Sequence, residues 1–360
     1  MSQSLHLGLV GPLPPPSGGM ANQTLQLAKL LEQENINVEL IQTNAPYKPS
    51  WVANLPVIRA GFRLILYVIM LWQVAGRVNV FHIMANSGWS WHLFTVPAVW
   101  IAKLRKVPCV INYRGGEAET FFNKSFRIVK PTLNACSKII VPSRFLGQVF
   151  SKRQVETQIV ANIIDLDRFS PINKDSKEDA PHLLVARNLE LIYDNVTAVQ
   201  AFNEILKTYP KAKLTIAGTG PELENLQTLV SELGISTQVT FTGRVDTKKM
   251  PALYQSADVM LNPSRVDNMP NSILEALASG VPVVSTNVGG IPYMVEDEVT
   301  ALLVPPENHL AMANAIQRVL QDKKFKQKLI DTGLSFVTQF SWPEVKGHWL
   351  AVYNKLAAHS

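Results

Sequence analysis

Two carboxylates and the start of a helix lie close together in the segment NPSRVDNMPNSILEALASGVPVVSTNVGG, residues 262–290. Asp267 and Glu275 are eight positions apart in this segment. Pro270 suits the first position of a helix, and Asn268 suits a cap just before it. This spacing predicts that Asp267 lies in a loop and that Glu275 lies on the helix that follows.

The same helix start predicts a site for an anion. Backbone amides, here those of Asn271 and Ser272, point out of a helix N-terminus, where the helix dipole favours negative charge. Glu275 lies one turn after Asn271, so its carboxylate projects on the same side. The layout fits a diphosphate at the amides, a ribose hydroxyl at Glu275 and a sugar near Asp267. The alternative is a capped helix with an acidic surface residue on each flank.

Alternating strands and helices are needed to position these residues. The first 42 residues predict a strand, a Pro- and Gly-rich loop, a helix and a second strand, at residues 5–10, 11–19, 20–35 and 36–42. This β–loop–α–β start is the unit of a doubly wound α/β sheet. Further strands are expected at residues 78–83, 107–112, 138–142 and 158–160, and a helix near residues 91–105.

The α/β alternation begins again after residues 170–181, a polar, charged segment with a proline near each end. Such a composition is typical of a linker. Strands are predicted beyond it at residues 182–187, 213–218, 238–243, 258–264, 282–286 and 301–306, with helices between them. We therefore predict an α/β protein with two Rossmann-like domains, residues 1–169 and 182–341, followed by a C-terminal helix at residues 342–358.

Composition narrows the class of protein. The chain has 360 residues, enough for two domains, with 47 % apolar and 17 % charged residues, which excludes global disorder. Its two cysteines exclude a disulfide scaffold and indicate a reducing compartment, and no Cys/His cluster has the spacing of metal ligands. The net charge is +6, but residues 1–169 carry +9 and residues 170–360 carry −3. The basic first half suggests an anionic surface or substrate near it.

The N-terminus lacks the basic start and apolar stretch of a signal peptide, so we expect a cytoplasmic protein. The longest apolar run, Leu64–Trp72, has nine residues, whereas a spanning helix needs about 20. We therefore expect no membrane span. Two readings of this run stay open: a buried helix, or, with Arg59, Arg63 and other basic residues of the first half, a peripheral contact at the anionic inner membrane face.

Several motifs of the second half occur together and in order. EALASGVPVVSTNVGG follows the two carboxylates, and it is preceded by LTIAGTGPELENL (214–226), VTFTGRV (239–245) and LYQSADVMLNPS (253–264). The chain resembles glycosyltransferase family 4 in these motifs and in ANIIDLDRFSP (161–171). That family has the GT-B fold, so the resemblance implies two Rossmann-like domains facing a central cleft, with the last helix returning to the first domain.

The resemblance also implies a donor site in the second domain. Glu275 would hold the ribose of the nucleotide, and Asp267 would contact the donor sugar as a catalytic residue. Arg187, at the end of the first strand of this domain, would neutralise the diphosphate, which suits a guanidinium because its fork binds two oxygens. The remaining donor-binding residues would be Asn195, Gly243, Val245, Asn268, Met269, Pro270, Asn271 and Ser272. The alternative for Arg187 is a structural salt bridge at the strand end, and that for Gly243 and Val245 is an ordinary turn.

The sequence departs from the family pattern at several positions. Asp267 stands where the family usually has Glu, and Tyr293 also replaces a frequent Glu. A Lys that the family places a few residues after Arg187 is missing, and Tyr193 and Asn195 occupy this stretch instead. Hydrogen bonds or a cation from elsewhere would then take over its role at the diphosphate.

In the first domain, the resemblance points to a glycine-rich loop and to strand ends. Gly18 and Gly19 match the family's first loop, where glycine lets the backbone approach a phosphate or an acceptor closely. Arg114, preceded by Tyr113, stands where many members carry a His, and we predict it as a catalytic residue facing the cleft. His82 is predicted on the acceptor side. The alternatives are a simple turn for the glycines and structural roles for Arg114 and His82.

The resemblance implies a glycosyltransferase that moves a sugar from a nucleotide-sugar donor to a glycan, a lipid-linked acceptor or a small molecule. The resemblance also implies retention of configuration and catalysis without metal. The nucleotide sugar is a substrate, so no cofactor is expected, and no nucleic acid is expected as a partner. The alternatives are a nucleotide-sugar epimerase of the same fold, or a degenerate, non-catalytic binding subunit.

Overall fold

The computed structural model of the chain describes residues 5–15, 18–46, 56–172 and 180–358. These residues belong to two compact units. The first unit comprises Met1–Ile163 together with Val345–Ser360, and the second comprises Ile164–Glu344. Each unit contains one six-stranded sheet in which all neighbouring strands are parallel. The predicted α/β class with two Rossmann-like sheets is therefore confirmed.

The first sheet has the strand order β2-β1-β3-β4-β5-β6. Its strands are short and mostly buried, as expected where helices cover both faces of a parallel sheet. They are β1 (His6–Gly11), β2 (Asn37–Gln42), β3 (Val80–Ala85), β4 (Cys109–Tyr113), β5 (Lys138–Val141) and β6 (Gln158–Ile159). The helices between them are α1 (Gly19–Gln33), α2 (Pro56–Val74), α3 (Val96–Leu104), α4 (Ala118–Ala135) and α5 (Arg144–Ser151), with a π-helical turn at Trp91–Thr95 before α3.

The direction of the crossovers sorts these helices between the two faces of the first sheet. Parallel crossovers are right-handed, so α1, which runs from β1 outward to β2, lies on one face, and α2 to α5 lie on the other. On that second face, aromatic side chains such as Trp91, Phe122 and Phe150 form the core with Phe81 and Ile83 of β3. Alternation along β3 turns His82, between these two residues, toward the opposite face.

The second sheet has the strand order β12-β11-β10-β7-β8-β9. Its strands are β7 (His182–Ala186), β8 (Lys213–Ala217), β9 (Val239–Gly243), β10 (Val259–Asn262), β11 (Val283–Thr286) and β12 (Leu302–Val304). Its helices are α6 (Asn195–Leu206), α7 (Leu223–Glu232), α8 (Met250–Ser256), α9 (Asn271–Ala278), α10 (His309–Gln321) and α11 (Lys323–Val337). All six strands of this sheet begin within two residues of the predicted positions.

The last helix, α12 (Trp342–Ala357), crosses from the second unit to the first, which includes the chain from Val345 onward. The Trp349 ring of α12 lies 4.8 Å from the His82 ring of β3, measured between centroids. Lys346 Nζ of α12 lies 3.0 Å from a carboxylate oxygen of Glu34, next to the end of α1. The helix therefore covers the face of the first sheet on which α1 lies.

Three local features differ from the expectations. The units divide between Ile163 and Ile164 rather than after residue 169. The residues from Ile164 onward already pack on the second unit, since the Ile164 amide donates to the Phe340 carbonyl and the Phe169 ring contacts the Tyr254 ring edge-on. Most of the predicted linker, residues 173–179, lies outside the described residues.

The start of α9 also differs. The helix begins at Asn271, and Pro270 precedes it with an extended backbone (φ −68°, ψ 119°) instead of occupying the first helical position. Pro270 therefore occupies the N-cap position that was expected for a polar residue, and Asn268 lies two residues before it.

The apolar run Leu64–Trp72 is not buried on all sides. It forms the second half of α2, in which Tyr67 and Leu71 are buried, whereas Ile65, Ile69 and Trp72 are exposed.

Candidate donor site and its relatives

In the second sheet, the order in which successive strands are added reverses between two neighbouring parallel strands. β7 is the first strand of this unit and β10 the fourth, yet they pair side by side through Val259 and Leu183. The loops that leave the carboxyl ends of two such strands run in opposite directions, and ligands of open α/β sheets bind in the crevice that opens there. The two loops are residues 187–194 and 263–270, which contain Arg187 and Asp267.

Arg187 and Asp267 meet across this crevice although 80 positions separate them in the chain. Arg187 Nη2 donates to Asp267 Oδ2, and each side chain is only 12 % exposed. The guanidinium face stacks on Tyr193, with Arg187 Cζ 4.0 Å from the ring centroid. The pair and the ring hold the guanidinium in one orientation, while its buried Nε donates to no group in the part of the chain that the structure describes.

The loop that contains Asp267 is held by further hydrogen bonds. Ser264 Oγ donates to Asp267 Oδ2 at 3.3 Å, and the Asn268 amide donates to Asp267 Oδ1 at 2.9 Å. The Gly290 amide donates to the Asp267 carbonyl at 3.0 Å. Gly289 has a positive φ of 54°, and a Cβ there would lie 2.0 Å from the same carbonyl oxygen. Glycine is therefore required at position 289 if the two loops are to approach this closely.

The N-terminus of α9 opens at this crevice, directly after the Asp267 loop. Its N-cap residue is Pro270, which has no polar side chain, and no acidic residue lies in its first turn. Ser272 is 7 % exposed, and its Oγ has no hydrogen-bond partner among the described residues. A buried hydroxyl of this kind is rare in folded proteins. At a helix N-terminus, it adds a donor to the backbone amides that favour an anion.

Glu275 lies one turn further along α9 and is partly buried. Its Oε2 accepts a hydrogen bond of 2.8 Å from the hydroxyl of Tyr254, a fully buried residue of α8. Burial raises the pKa of Glu275 to about 7, against the opposing effects of the Tyr254 hydrogen bond and of the positive charges on Arg168 and Arg187. The carboxyl group is therefore poised between its two protonation states near neutral pH.

Gly243 and Val245 lie at the carboxyl end of β9, two strands away from β7 in the sheet order. With strands about 4.8 Å apart, this places them about 10 Å from Arg187 along the same edge of the sheet. Gly243 has a positive φ of 64°, and the space around its α-carbon is open. Exposed backbone at this distance from the crevice fits a flat ring at the far end of a nucleotide.

The remaining predicted donor-site residues lie around α9 and at the start of α6. Asn268, Met269 and Pro270 are buried and form the connection into α9. Asn195 is 3 % exposed, and its Nδ2 donates to the Asn188 carbonyl, 3.0 Å away. This bond fixes the loop after β7, while the buried Asn195 Oδ1 has no hydrogen-bond partner among the described residues, so its part in donor binding stays a prediction.

In the first unit, the loops after β1, β3 and β4 lie at the carboxyl edge of the sheet. Gly18 and Gly19 stand at the start of α1, and Arg114 follows β4, where its amide donates to the Ala85 carbonyl. Arg114 Nη2 donates to the side-chain oxygens of Gln23 and Asn162. Among the described residues, no carboxylate lies within 4 Å of this guanidinium. Burial lowers the pKa of Arg114 to about 10, so it remains a cation at neutral pH.

His82 lies inside β3 rather than after it, and its side chain is fully buried. Its Nδ1 lies 2.7 Å from the Tyr353 hydroxyl, and its Nε2 lies 3.1 Å from Asn112 Nδ2. Burial and the nearby Arg114 charge lower the pKa of His82 to about 3, so the ring is neutral at pH 7. The prediction of His82 on the acceptor side is therefore corrected, because the ring is buried against α12 and its two nitrogens are paired with Tyr353 of α12 and Asn112 of β4.

Two further residues, which were not among the predicted site residues, complete the donor site. Tyr254 holds the Glu275 carboxylate from a neighbouring helix, and Gly289 shapes the loop of Asp267. A signal for Gly289 was present in the VGG motif, whereas nothing in the spacing pointed to Tyr254. In the part of the chain that the structure describes, no three His, Cys, Asp or Glu side chains come together as metal ligands, and Cys109 and Cys136 are free thiols.

Two family models match the chain one after the other. Residues 17–168 match the model described as Glycosyltransferase Family 4, and residues 168–335 match that of Glycosyl transferases group 1. The boundary between the matches lies within five residues of the boundary between the two compact units. Together the matches cover the loops and helices that form the site described above.

Curated relatives are similar over part of their length. An uncharacterized glycosyltransferase of Methanocaldococcus jannaschii is 34 % identical over 157 residues, which are 43 % of this chain and 40 % of that protein. A GDP-mannose-dependent α-(1-6)-phosphatidylinositol monomannoside mannosyltransferase of Mycobacterium tuberculosis is 32 % identical over 195 residues, which are 50 % of this chain and 51 % of that protein. The chain thus spans about half the length of the curated relatives it matches.

Solved structures match nearly the whole chain. Sucrose-phosphate synthase from Thermosynechococcus elongatus superposes with a TM-score of 0.80 at 22 % identity, covering 99 % of this chain and 100 % of that one. Anabaena HepE, in a complex with UDP and glucose, superposes with a TM-score of 0.75 at 18 % identity, covering 98 % and 100 %. At these identities, the comparison establishes the fold, which is GT-B.

Proposed function

The chain belongs to glycosyltransferase family 4, and on this premise we propose that it transfers a sugar from a nucleotide-sugar donor to a hydroxyl group of an acceptor. The observation that carries the proposal is the grouping of four features at one edge of the second sheet. These are the Arg187 guanidinium, the N-terminus of α9, the buried Ser272 hydroxyl and the Glu275 carboxyl one turn further on.

These groups fit the parts of a nucleoside diphosphate in order. Arg187 Nε and the first turn of α9 donate to the diphosphate oxygens, and Glu275 accepts a hydrogen bond from a ribose hydroxyl. The base then reaches the end of β9, where the backbone of Gly243 and Val245 lies about 10 Å away. The sugar at the other end of the diphosphate is placed near Asp267, which the Arg187 contact and its own loop hold in position.

The proposed chemistry follows from this placement. The bond between the anomeric carbon and the diphosphate oxygen breaks, and negative charge develops on the leaving diphosphate. Arg187 and the amides of α9 stabilise that charge because they are fixed before the reaction begins. In a retaining reaction, the acceptor oxygen forms its bond to the anomeric carbon on the same face, and its proton passes to the leaving phosphate oxygen. Charge neutralisation is thereby assigned to protein groups rather than to a metal ion.

We assign acceptor binding to the first unit, where Arg114, Gly18 and Gly19 lie at the carboxyl edge of the sheet. The Arg114 guanidinium has amide oxygens as its side-chain partners in the described part of the chain, so its positive charge is uncompensated at short range. This supports an acceptor with an anionic group, such as a lipid-linked glycan or a charged small molecule. A cytoplasmic location belongs to the same proposal.

The test is a transfer assay on the full chain with a panel of donors that includes UDP-glucose and GDP-mannose. Nucleoside diphosphate release is followed with and without lipid-linked, glycan and small-molecule acceptors, and the anomeric configuration of the product is read by NMR. We expect release that depends on an acceptor, an α-linked product from an α-linked donor, and unchanged activity in a metal chelator. Arg187→Ala should abolish release, and Lys324→Ala, at an exposed position of α11, should leave it unchanged.

Each rival function gives a different result in this assay. An epimerase would change the donor sugar with no acceptor present. A binding subunit would bind a nucleotide sugar and release no diphosphate with any acceptor of the panel. Inversion of configuration, or activity that a chelator abolishes, would contradict the retaining or the metal-free part of the proposal and leave sugar transfer in place.

A further inference from the structure

Large apolar side chains are exposed mainly on one side of the first unit. Of the sixteen that are exposed in the described ranges, eleven lie between residues 65 and 128. Six of them stand on α2 and are 37 to 60 % exposed: Ile65, Leu66, Val68, Ile69, Met70 and Trp72. Single exposed apolar residues are ordinary, but a continuous group of this size marks an interaction surface.

α2 lies along the first unit with its opposite side packed inward. Tyr67, Leu71 and Val74 are at most 4 % exposed and belong to the core beneath the sheet. The Tyr67 hydroxyl donates to the Phe94 carbonyl at 2.8 Å, which ties α2 to the π-helical turn before α3. Because its inner side is fixed to the core along the helix, α2 presents its outer side lengthwise and does not project from the unit.

Exposed side chains of α3 and α4 continue this surface. Arg105 lies over the Trp72 ring at 4.9 Å, and Lys103 lies over the Trp100 ring at 5.1 Å. Trp100 Nε1 donates to Thr132 Oγ1 of α4 at 3.2 Å. Leu104 and Ile128, 70 % and 69 % exposed, stand one turn from Trp100 and Thr132. We call the exposed side chains of α2, α3 and α4 the outer face of the first unit.

Basic residues predominate in this region, where the acidic residue of α4, Glu119, is paired with Lys152. Residues 40–116 contain eight Lys or Arg and no Asp or Glu. α4 adds Lys124, Arg127 and Lys130, which are all exposed. Basic residues and tryptophan around an exposed apolar helix are the composition with which proteins lie on a bilayer, with tryptophan at headgroup level and the cations near anionic lipid. The part of the chain that the structure describes has no helix long and apolar enough to span a membrane.

We propose that the outer face docks on an anionic phospholipid bilayer, with the apolar side of α2 in the interface and the basic residues of α3 and α4 on the headgroups. A second copy of the chain fits this face less well, since a two-fold contact would bring like charges together. The proposal goes beyond the proposed sugar transfer and does not depend on it, because lipid binding needs neither donor nor acceptor.

The test is co-sedimentation of the full chain, without nucleotide sugar, with vesicles of phosphatidylcholine alone or mixed with phosphatidylglycerol. We expect binding to the mixed vesicles at low salt and much weaker binding at high salt or to the neutral vesicles. Lys103→Gln with Arg105→Gln should lower partitioning onto mixed vesicles about 25-fold, at roughly fivefold per basic residue lost. Ile65→Ser with Ile69→Ser should lower it at least tenfold.

Two control variants and a measurement of folding distinguish loss of lipid binding from a general effect of the substitutions. Leu310→Ser and Lys324→Gln change exposed residues of the second unit with the same chemistry, and they should leave partitioning unchanged. All changed positions are exposed, so circular dichroism should report intact folds. Equal binding to neutral and mixed vesicles, binding to neither, or equal binding of all variants would overturn the proposal. So would a dimer in sedimentation velocity that the Ile65/Ile69 change dissociates, because a second copy would then cover the face.

Discussion

Replacing Glu275 by Gln should remove a pH dependence of donor binding that the wild type has. With a pKa of about 7, the Glu275 carboxyl group is about one-tenth ionised at pH 6 and about nine-tenths ionised at pH 8. If the ribose hydroxyls donate to the ionised form, the affinity for a nucleotide sugar rises about tenfold from pH 6 to pH 8. At pH 8, Glu275→Gln should weaken binding by about 1.5–3 kcal/mol, and its affinity should not vary between these pH values.

Isothermal titration calorimetry with UDP-glucose and GDP-mannose measures both effects. A nucleotide sugar is the suitable probe, because its esterified diphosphate does not titrate between pH 6 and pH 8, whereas the terminal phosphate of a free nucleoside diphosphate does. Glu204→Gln, on the surface of α6, is the matched control and should keep the wild-type pH dependence. An equal pH slope in wild type and Glu275→Gln would refute the reasoning, as would a wild-type affinity that is flat or falls with rising pH.

Three further changes test individual contacts. Tyr254→Phe removes the hydroxyl that stabilises the ionised carboxylate, so the midpoint of the pH dependence in the calorimetric titration should move upward, and the fold should lose about 1 kcal/mol in denaturant unfolding. Gly289→Ala should cost at least about 2 kcal/mol of stability and most of the donor affinity, because its Cβ would clash with the Asp267 loop. Gly243→Ala, also at a positive φ but in open space, should cost only the backbone strain of about 1–2 kcal/mol. Similar losses in both variants would exclude the clash. Tyr353→Phe should lower stability by about 1–3 kcal/mol through the buried His82 ring and leave nucleotide-sugar affinity unchanged, and a loss of affinity would argue against a purely structural His82.

The strand positions could be predicted because both sheets are parallel and buried. Short apolar runs bounded by Gly, Pro and polar residues mark such strands, and all twelve appear where the pattern places them. The loops that hold Arg187 and Asp267 were predicted for the same reason, since both residues follow the end of a buried strand. That the two loops face each other depends on strand order, which brings β7 next to β10.

Side-chain environments could not be predicted from spacing. His82 is one residue from the apolar side chains of β3 on either side, and only the return of α12 decides that its ring is buried. The partner of Glu275 comes from a different helix, and the raised pKa of that carboxyl follows from burial that the local sequence does not encode. The apolar run of α2 is apolar on all sides, so its pattern has no period that separates the buried side from the exposed one.

A crystal structure of the protein with a bound nucleotide sugar tests the central claim most directly. We expect electron density for the diphosphate between the Arg187 guanidinium and the first turn of α9, with the ribose hydroxyls within hydrogen-bond distance of Glu275 and the base at the carboxyl end of β9. A nucleotide bound at another edge of either sheet, or a diphosphate that contacts neither Arg187 nor α9, would contradict it.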